Sequence, residues 1–126
     1  MGLIQLPTFK IRSDEQIVPL QWSHLSNIKL SKHELEYASY IDNYLDYVWE
    51  NSEDGWSWTG IGRGKVVCVF GVRYIWPGLV EAWFVPSEDM EDHVRSILVG
   101  SRQLLGEVMS LSDIRRMQIF VKVENT

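Results

Sequence analysis

At 126 residues the chain is long enough for one domain with a real hydrophobic core. Its 45% hydrophobic and 23% charged fractions are those of a globular protein in water, and no run reaches the roughly 18 apolar residues a membrane helix needs. The net charge of −5, from 12 basic and 17 acidic residues, speaks against nucleic acid as a partner, because duplex binding needs a basic face; a basic protein partner or an amine substrate stays open. The N-terminal MGLIQLPTFKIR has no basic segment ahead of a long apolar stretch, which speaks against a secretory signal. The lone Cys68 can form no internal disulfide and suits a reducing cytoplasm; it reads as a small buried hydrophobe. Six tryptophans point to a heavy core, an aromatic-lined site, or both.

In chain order, Thr8–Arg12 reads as a short first strand. Residues 13–30 read as irregular, with Ile17, Leu20, Trp22, Leu25, Ile28 and Leu30 forming a short helix or a loop packed on the core. Ser31-x-x-Glu34 is a capping box that opens a helix running to about Asn51, with Ala38, Ile41, Leu45 and Val48 at helical spacing. Beside that stripe, Tyr37, Tyr40, Tyr44 and Tyr47 recur every three or four residues. Asp42, Asp46 and Glu50 recur every four on another side. Two readings stand here: a wide core face with snorkelling tyrosines and a solvated acidic face, or an aromatic and acidic groove for a cationic substrate or partner.

Trp56–Ile61 alternates as a strand, and Gly62-Arg63-Gly64-Lys65 makes a tight turn into Val66–Tyr74. Gly60, Gly62 and Gly64 fit neither phosphate-loop spacing and precede a strand, so they are hairpin glycines. Val66–Phe70 is apolar without alternation, as in a strand covered on both faces, and Gly71 marks a bulge or a close backbone approach. Trp76-Pro77-Gly78 turns the chain into Leu79–Val85. A helix starts between Ser87 and Asp89 and runs to about Ser110 on a stripe of Val94, Ile97, Leu98, Leu104, Leu105, Val108 and Met109; Arg116–Val123 alternates as the last strand. The order predicts an α+β fold, a mixed α/β sandwich in which a mostly antiparallel sheet of about five strands is flanked by helices.

Four stretches together carry a resemblance. They are Trp58-Thr59-Gly60-Ile61-Gly62 with Val69-Phe70-Gly71-Val72, the run from Trp76 to Ser87, and Phe120-Val121-Lys122-Val123-Glu124-Asn125. Over about residues 56–125 the chain resembles the GNAT acetyltransferase superfamily. It is most similar to phage-encoded members, including the GNAT-like internal virion proteins of short-tailed phages. The resemblance implies acetyl-CoA between two neighbouring parallel strands, here Leu79–Val85 and Arg116–Val123. Backbone near Phe84 and Val85 would meet the pantetheine arm, the helix start at Ser87 would receive the pyrophosphate, and Asn125 would belong to the same cofactor-binding set.

The chain departs from the family pattern in two places. The glycine-containing pyrophosphate loop is replaced by Ser87-Glu88-Asp89-Met90-Glu91-Asp92-His93, with four carboxylates and no glycine. The helix and two strands that follow the last strand in a full member, with their thiolate-protonating tyrosine, have no counterpart after Asn125. An open edge on the last strand would invite a homodimer.

Glu81 is the candidate catalytic base for amine acetylation. It lies mid-strand on the face of Leu79, Trp83 and Val85; the alternatives are a solvated glutamate or a structural ion pair. The tyrosine face, with Trp83, would hold substrate or partner. His93 reads as a surface histidine near the phosphate position, and no His or Cys spacing suggests a metal. Two functions compete. One is an acetyl-CoA-dependent N-acyltransferase on an amine. The other is a GNAT-like fold without catalysis, serving as a virion component or as an acidic inhibitor of a basic host protein. Either would work in the cytoplasm, or in the virion if phage-encoded.

Overall fold

The computed structural model describes residues 9–12, 14–111 and 116–119, with side chains over residues 14–110. Among these residues, six strands form one sheet in sequential order: β1 (Phe9–Arg12), β2 (Glu15–Pro19), β3 (Gly55–Gly62), β4 (Lys65–Trp76), β5 (Leu79–Pro86) and β6 (Arg116–Ile119). Neighbours from β1 to β5 are antiparallel, whereas β5 and β6 are parallel. A parallel step needs a crossover, and α4 (Val94–Leu111) provides it, preceded by a single 3-10 turn at Met90–His93. The β2-to-β3 connection carries α1 (Trp22–Asn27), α2 (Lys32–Ala38) and α3 (Tyr44–Ser52).

The core lies on both faces of β4. On one face Trp58, Cys68, Phe70, Val72, Val80 and Ala82 pack with Ile97, Leu104 and Val108 of α4. On the other, Val69 and Val85 pack with Leu25 of α1 and with Tyr44 and Val48 of α3. A register shift helps explain the unbroken apolar run. Gly60 pairs with Cys68 but Ile61 pairs with Val66, so Val67 is the extra residue of a bulge and joins Cys68 in the α4-side core.

Both turns form for the expected reason. Arg63 and Gly64 have φ of 51° and 74°, the pair of positive angles that suits a two-residue hairpin, and Gly78 has φ of 85° after Pro77. Gly71 is a close approach: a Cβ there would enter the van der Waals shell of the Trp56 carbonyl oxygen and lie 3.0 Å from the Trp83 ring.

Three expectations are corrected. The stretch expected to be irregular holds a strand, β2, as well as the short helix α1 that was one of its two readings, and the sheet of about five strands has six among the described residues. The inward positions of β2 are Glu15 and Ile17, so a buried glutamate hides the alternation. The long tyrosine helix is two helices, because Ser39–Asn43 breaks it. Ser39 turns its hydroxyl back to the Glu36 carbonyl, and Asn43 adopts a left-handed φ of 53°, which asparagine tolerates better than most residues. The capping box is half formed: Ser31 Oγ accepts from the Glu34 N–H at 3.3 Å, but the Ser31 N–H goes to the Pro86 carbonyl. The last strand is seen to Ile119; Phe120–Asn125 and the edge proposed for a homodimer lie outside the described residues.

Two glycine substitutions should move stability in opposite directions. Gly71→Ala should lose about 1–3 kcal/mol by overpacking against backbone. Gly106→Ala, mid-α4 with no atom within 4 Å of the new methyl, should gain about 0.5–1 kcal/mol. Urea midpoints at constant m-value measure both.

Candidate active site

The β4–β5 register places Arg73 opposite Glu81. Arg73 Nε donates to Glu81 Oε1 at 3.1 Å, and the Glu81 side chain is only 13% exposed. The glutamate singled out as a base is therefore held in an ion pair and largely removed from water. Two residues on, Trp83 lies over Gly71 on the same face, and its Nε1 is buried with no hydrogen-bond partner among the described residues. Val85 continues that face into the core. Phe84 points the other way, with its ring 6.4 Å from Phe70 and 41% exposed. The described β5–β6 pairing spans Leu79↔Arg116 to Ala82↔Ile119, so Phe84 and Val85 lie just past it.

Beyond β5 the chain turns inward. Ser87 is buried; its N–H donates to the Val67 carbonyl at 2.8 Å, and its hydroxyl accepts from the Asp89 N–H at 3.1 Å. The Glu88 N–H donates to the Lys29 carbonyl at 2.8 Å and the Met90 N–H to the Ser87 carbonyl at 3.2 Å. All four amides from Ser87 to Met90 are thus bonded within the protein. His93, expected at the surface, is buried instead. Its Nδ1 meets the buried Glu15 carboxylate, and its ring lies so close to Gly62 that a Cβ there would be 2.6 Å from Cε1.

Of the four tyrosines, three come together. Tyr44 is buried and donates its hydroxyl to Glu34 Oε2 at 2.7 Å. Tyr37 meets it edge-on at 5.8 Å and Tyr47 lies tilted at 6.5 Å. Burial first, then the hydrogen bond to Glu34, pushes the Tyr44 phenol well above its ordinary value. Tyr40, 81% exposed, sits in the break after α2 and has no ring contact among the described residues. Asp42 lies in the same break, so only Asp46 and Glu50 share α3. Burial pushes the Cys68 thiol up to about 12, leaving it an inert core group. Among the described residues no group of His, Cys, Asp and Glu is placed to hold a metal ion, and no helix is long and apolar enough to cross a membrane.

Sequence reading missed Arg73, Glu15 and the Glu34–Tyr44 bond. Arg73 was accessible in principle, since a hairpin turning at Pro77-Gly78 pairs it with Glu81. The Glu15–His93 pair spans 78 residues and has no local signal.

No protein-family model matches the sequence, and no curated protein matches it. Solved structures do match. One is an acetyl transferase from Salmonella typhimurium described as modifying the N-terminal serine of 50S ribosomal subunit protein L7/L12. It superposes with a TM-score of 0.60 at 14% identity, over 90% of this chain and 74% of its own. A possible acetyltransferase from Clostridium difficile 630 superposes with a TM-score of 0.60 at 15% identity, over 90% of this chain and 83% of its own. The chain has the GNAT acetyltransferase fold.

GNAT acetyltransferases as a family use acetyl-CoA, so its fit to this chain can be judged in two parts. The strand-pair end suits a pantetheine arm: β5 and β6 are parallel, and the buried Trp83 N–H on the Glu81 face has no acceptor among the described residues. The phosphate end does not suit a cradle of the usual kind. Its amides are bonded internally, Ser87 is buried, and Glu88, Glu91 and Asp92 are exposed carboxylates that repel an anion. Asn125 lies outside the described residues.

Tyr44→Phe should cost roughly 1.5–3 kcal/mol near neutral pH, because the phenol donates to a charged, buried acceptor. The folded phenol holds its proton above pH 10.0, where the unfolded chain releases it. This contribution is therefore full below pH 10.0 and is lost as pH rises beyond it. Urea titrations of wild type and variant should show the stability gap narrowing above that pH.

Proposed function

We propose that this chain is a GNAT-type N-acetyltransferase of the cytoplasm, acting as a single domain on an amine of a cationic substrate or a basic protein. The observation that supports it most is Glu81, nearly buried, mid-way along the strand that pairs in parallel with β6, on the face shared with Trp83. Bound acetyl-CoA would supply the activated acyl carbon. Glu81 would take the proton of the ammonium, freeing the nitrogen lone pair for attack. Arg73, bonded to Oε1, fixes the carboxylate's direction and is a positioning residue. Tyr37 and Tyr47, exposed on either side of the buried Tyr44–Glu34 pair, together with exposed Asp46, offer an aromatic and acidic surface suited to a cation. The Salmonella neighbour's N-terminal serine substrate supports a terminal α-amine, whose ordinary pKa of roughly 7.7–8.0 asks little of the base.

A second reading rests on the internally bonded amides and carboxylates after β5. In it the fold has lost its cofactor and serves as a phage virion component, or docks its acidic surface on a basic host protein. A homodimer through the C-terminal strand belongs to that reading.

Thermal unfolding at low ionic strength, with and without millimolar acetyl-CoA, separates the two. A ligand at 100 times its Kd adds about 2.7 kcal/mol, a shift of several degrees at this size. Under the first reading the midpoint rises, and Glu81→Gln lowers acetyl transfer by ~10²–10⁴-fold while leaving that rise intact. No rise supports the second reading, and unchanged turnover in Glu81→Gln removes Glu81 from the base role.

A further inference from the structure

A cleft of about 400 Å³ opens where α1, the β3–β4 turn and the loop after β5 meet, and it contains neither Glu81 nor any of the tyrosines. Ser23, His24 and Asn27 line it from α1, Lys29 from the segment after it, Lys65 from the turn and Asp89 from the loop. Ile61 and Val66 give it an apolar wall. In a chain of net charge −5, two lysines facing one cleft are a local reversal of sign. Neither ammonium has an ion-pair partner among the described residues. The other cation at the turn, Arg63, is instead tied to Asp14 at 3.5 Å.

His24 adds a directed donor. Its Nδ1 accepts from the Gln21 N–H at 3.0 Å, which requires the lone pair there and puts the ring proton on Nε2. The Thr59 hydroxyl also packs against this edge, 2.7 Å from the same Nδ1. Both contacts anchor one edge of the ring and leave the Nε2–H on the opposite edge. Burial lowers the pKa of His24, in the same direction as the neutral form that its bond from Gln21 requires.

We propose that this cleft binds a small phosphate-bearing anion, with Lys29 and Lys65 as its counter-charges and the His24 Nε2–H donating to a phosphate oxygen. Two ammonium groups act as point charges and suit a tetrahedral phosphate from several directions, whereas a planar carboxylate is better matched by an arginine fork. Asp89 opposes this field from the rim and should weaken the binding. The ligand could be free inorganic phosphate or pyrophosphate, a nucleotide, or the phosphate end of CoA. In the last case the cleft supplies a charge contact that the loop after β5 does not offer.

The test titrates inorganic pyrophosphate, ADP and CoA separately into the isotope-labelled full chain at low ionic strength. It follows the amides of Gly64, Lys65 and Asp89 and the ring of His24. Saturable shifts at these positions with pyrophosphate are expected. Lys29→Ala with Lys65→Ala should weaken binding by about tenfold or more, and Asp89→Asn should tighten it. CoA losing the same factor as pyrophosphate assigns the cleft to the phosphate end of CoA; CoA indifferent to the two lysines assigns it to free phosphates or nucleotides. The proposal is overturned if millimolar pyrophosphate shifts none of these resonances, or if the double variant binds it as wild type does. Both variants are surface changes, and the Gly64 and His24 signals report whether the cleft is intact. Failure of acetyl transfer would leave the pyrophosphate result unaffected, so the two readings fail separately.

Discussion

Covering β4 on both faces is the constraint from which the other elements take their places. Over Val66–Val72, with neighbours on each side and helices above and below, the strand leaves no room for a polar side chain. Val67, Cys68, Val69 and Val72 are fully buried, and Gly71 admits the Trp56 carbonyl and the Trp83 ring to the same spot. Burying a side chain of the Val or Leu class is worth about 1.5–3 kcal/mol, so this strand alone anchors a large share of the fold's driving force. Its neighbours inherit their facing from it. Because Gly71 pairs with Trp83, Glu81 and Trp83 must look toward α1–α3, while Val80 and Ala82 must look toward α4.

The second constraint is a buried polar pair. Glu15 and His93 are both buried, and they join β2 to the turn that precedes α4. Removing either side chain would break this buried hydrogen bond, at a cost of about 1–3 kcal/mol, so the pair ties the two segments together. That contact fixes where the chain goes after β5. With His93 drawn inward against Gly62, the Ser87–Met90 segment has to cross the end of the sheet. There its amides find Val67, Lys29 and Ser87 as acceptors. The acidic loop that looked in sequence like a defective phosphate cradle is therefore a well-bonded corner whose carboxylates face water.

Much of the fold was legible because its signals are local. The β3–β4 and β4–β5 turns follow from Gly64 and from Pro77-Gly78, the doubly buried strand from Val66–Phe70, and the crossover helix from its apolar stripe. The errors have physical sources. The helix expected from Ser31 to Asn51 keeps its periodicity across Ser39–Asn43, but periodicity does not register that serine, aspartate and asparagine can bond their own backbone instead. β2 hid because its inward glutamate is satisfied by a histidine 78 residues away. The same limit applies to the site: Glu81 was visible as a residue, and its partner Arg73 only as a consequence of register. The tyrosines were visible as a stripe, yet Tyr40 leaves the cluster once the helix breaks.

What the fold keeps and what it changes bear differently on chemistry. The parallel β5–β6 pair is a topological feature, set by the handed crossover through α4, and it survives whether or not a cofactor binds. The contacts that recognise phosphate are local and can change with a few residues. Here Ser87–Asp92 carries no lysine or arginine, and Lys29 and Lys65 line the neighbouring cleft together with Asp89. An anion approaching there would be repelled by Glu88, Glu91 and Asp92 and drawn toward the two lysines, at a range of roughly one Debye length, or about 8 Å at physiological salt. Any phosphate this chain recognises at that end of the sheet is therefore steered toward the β3–β4 turn rather than toward the start of α4.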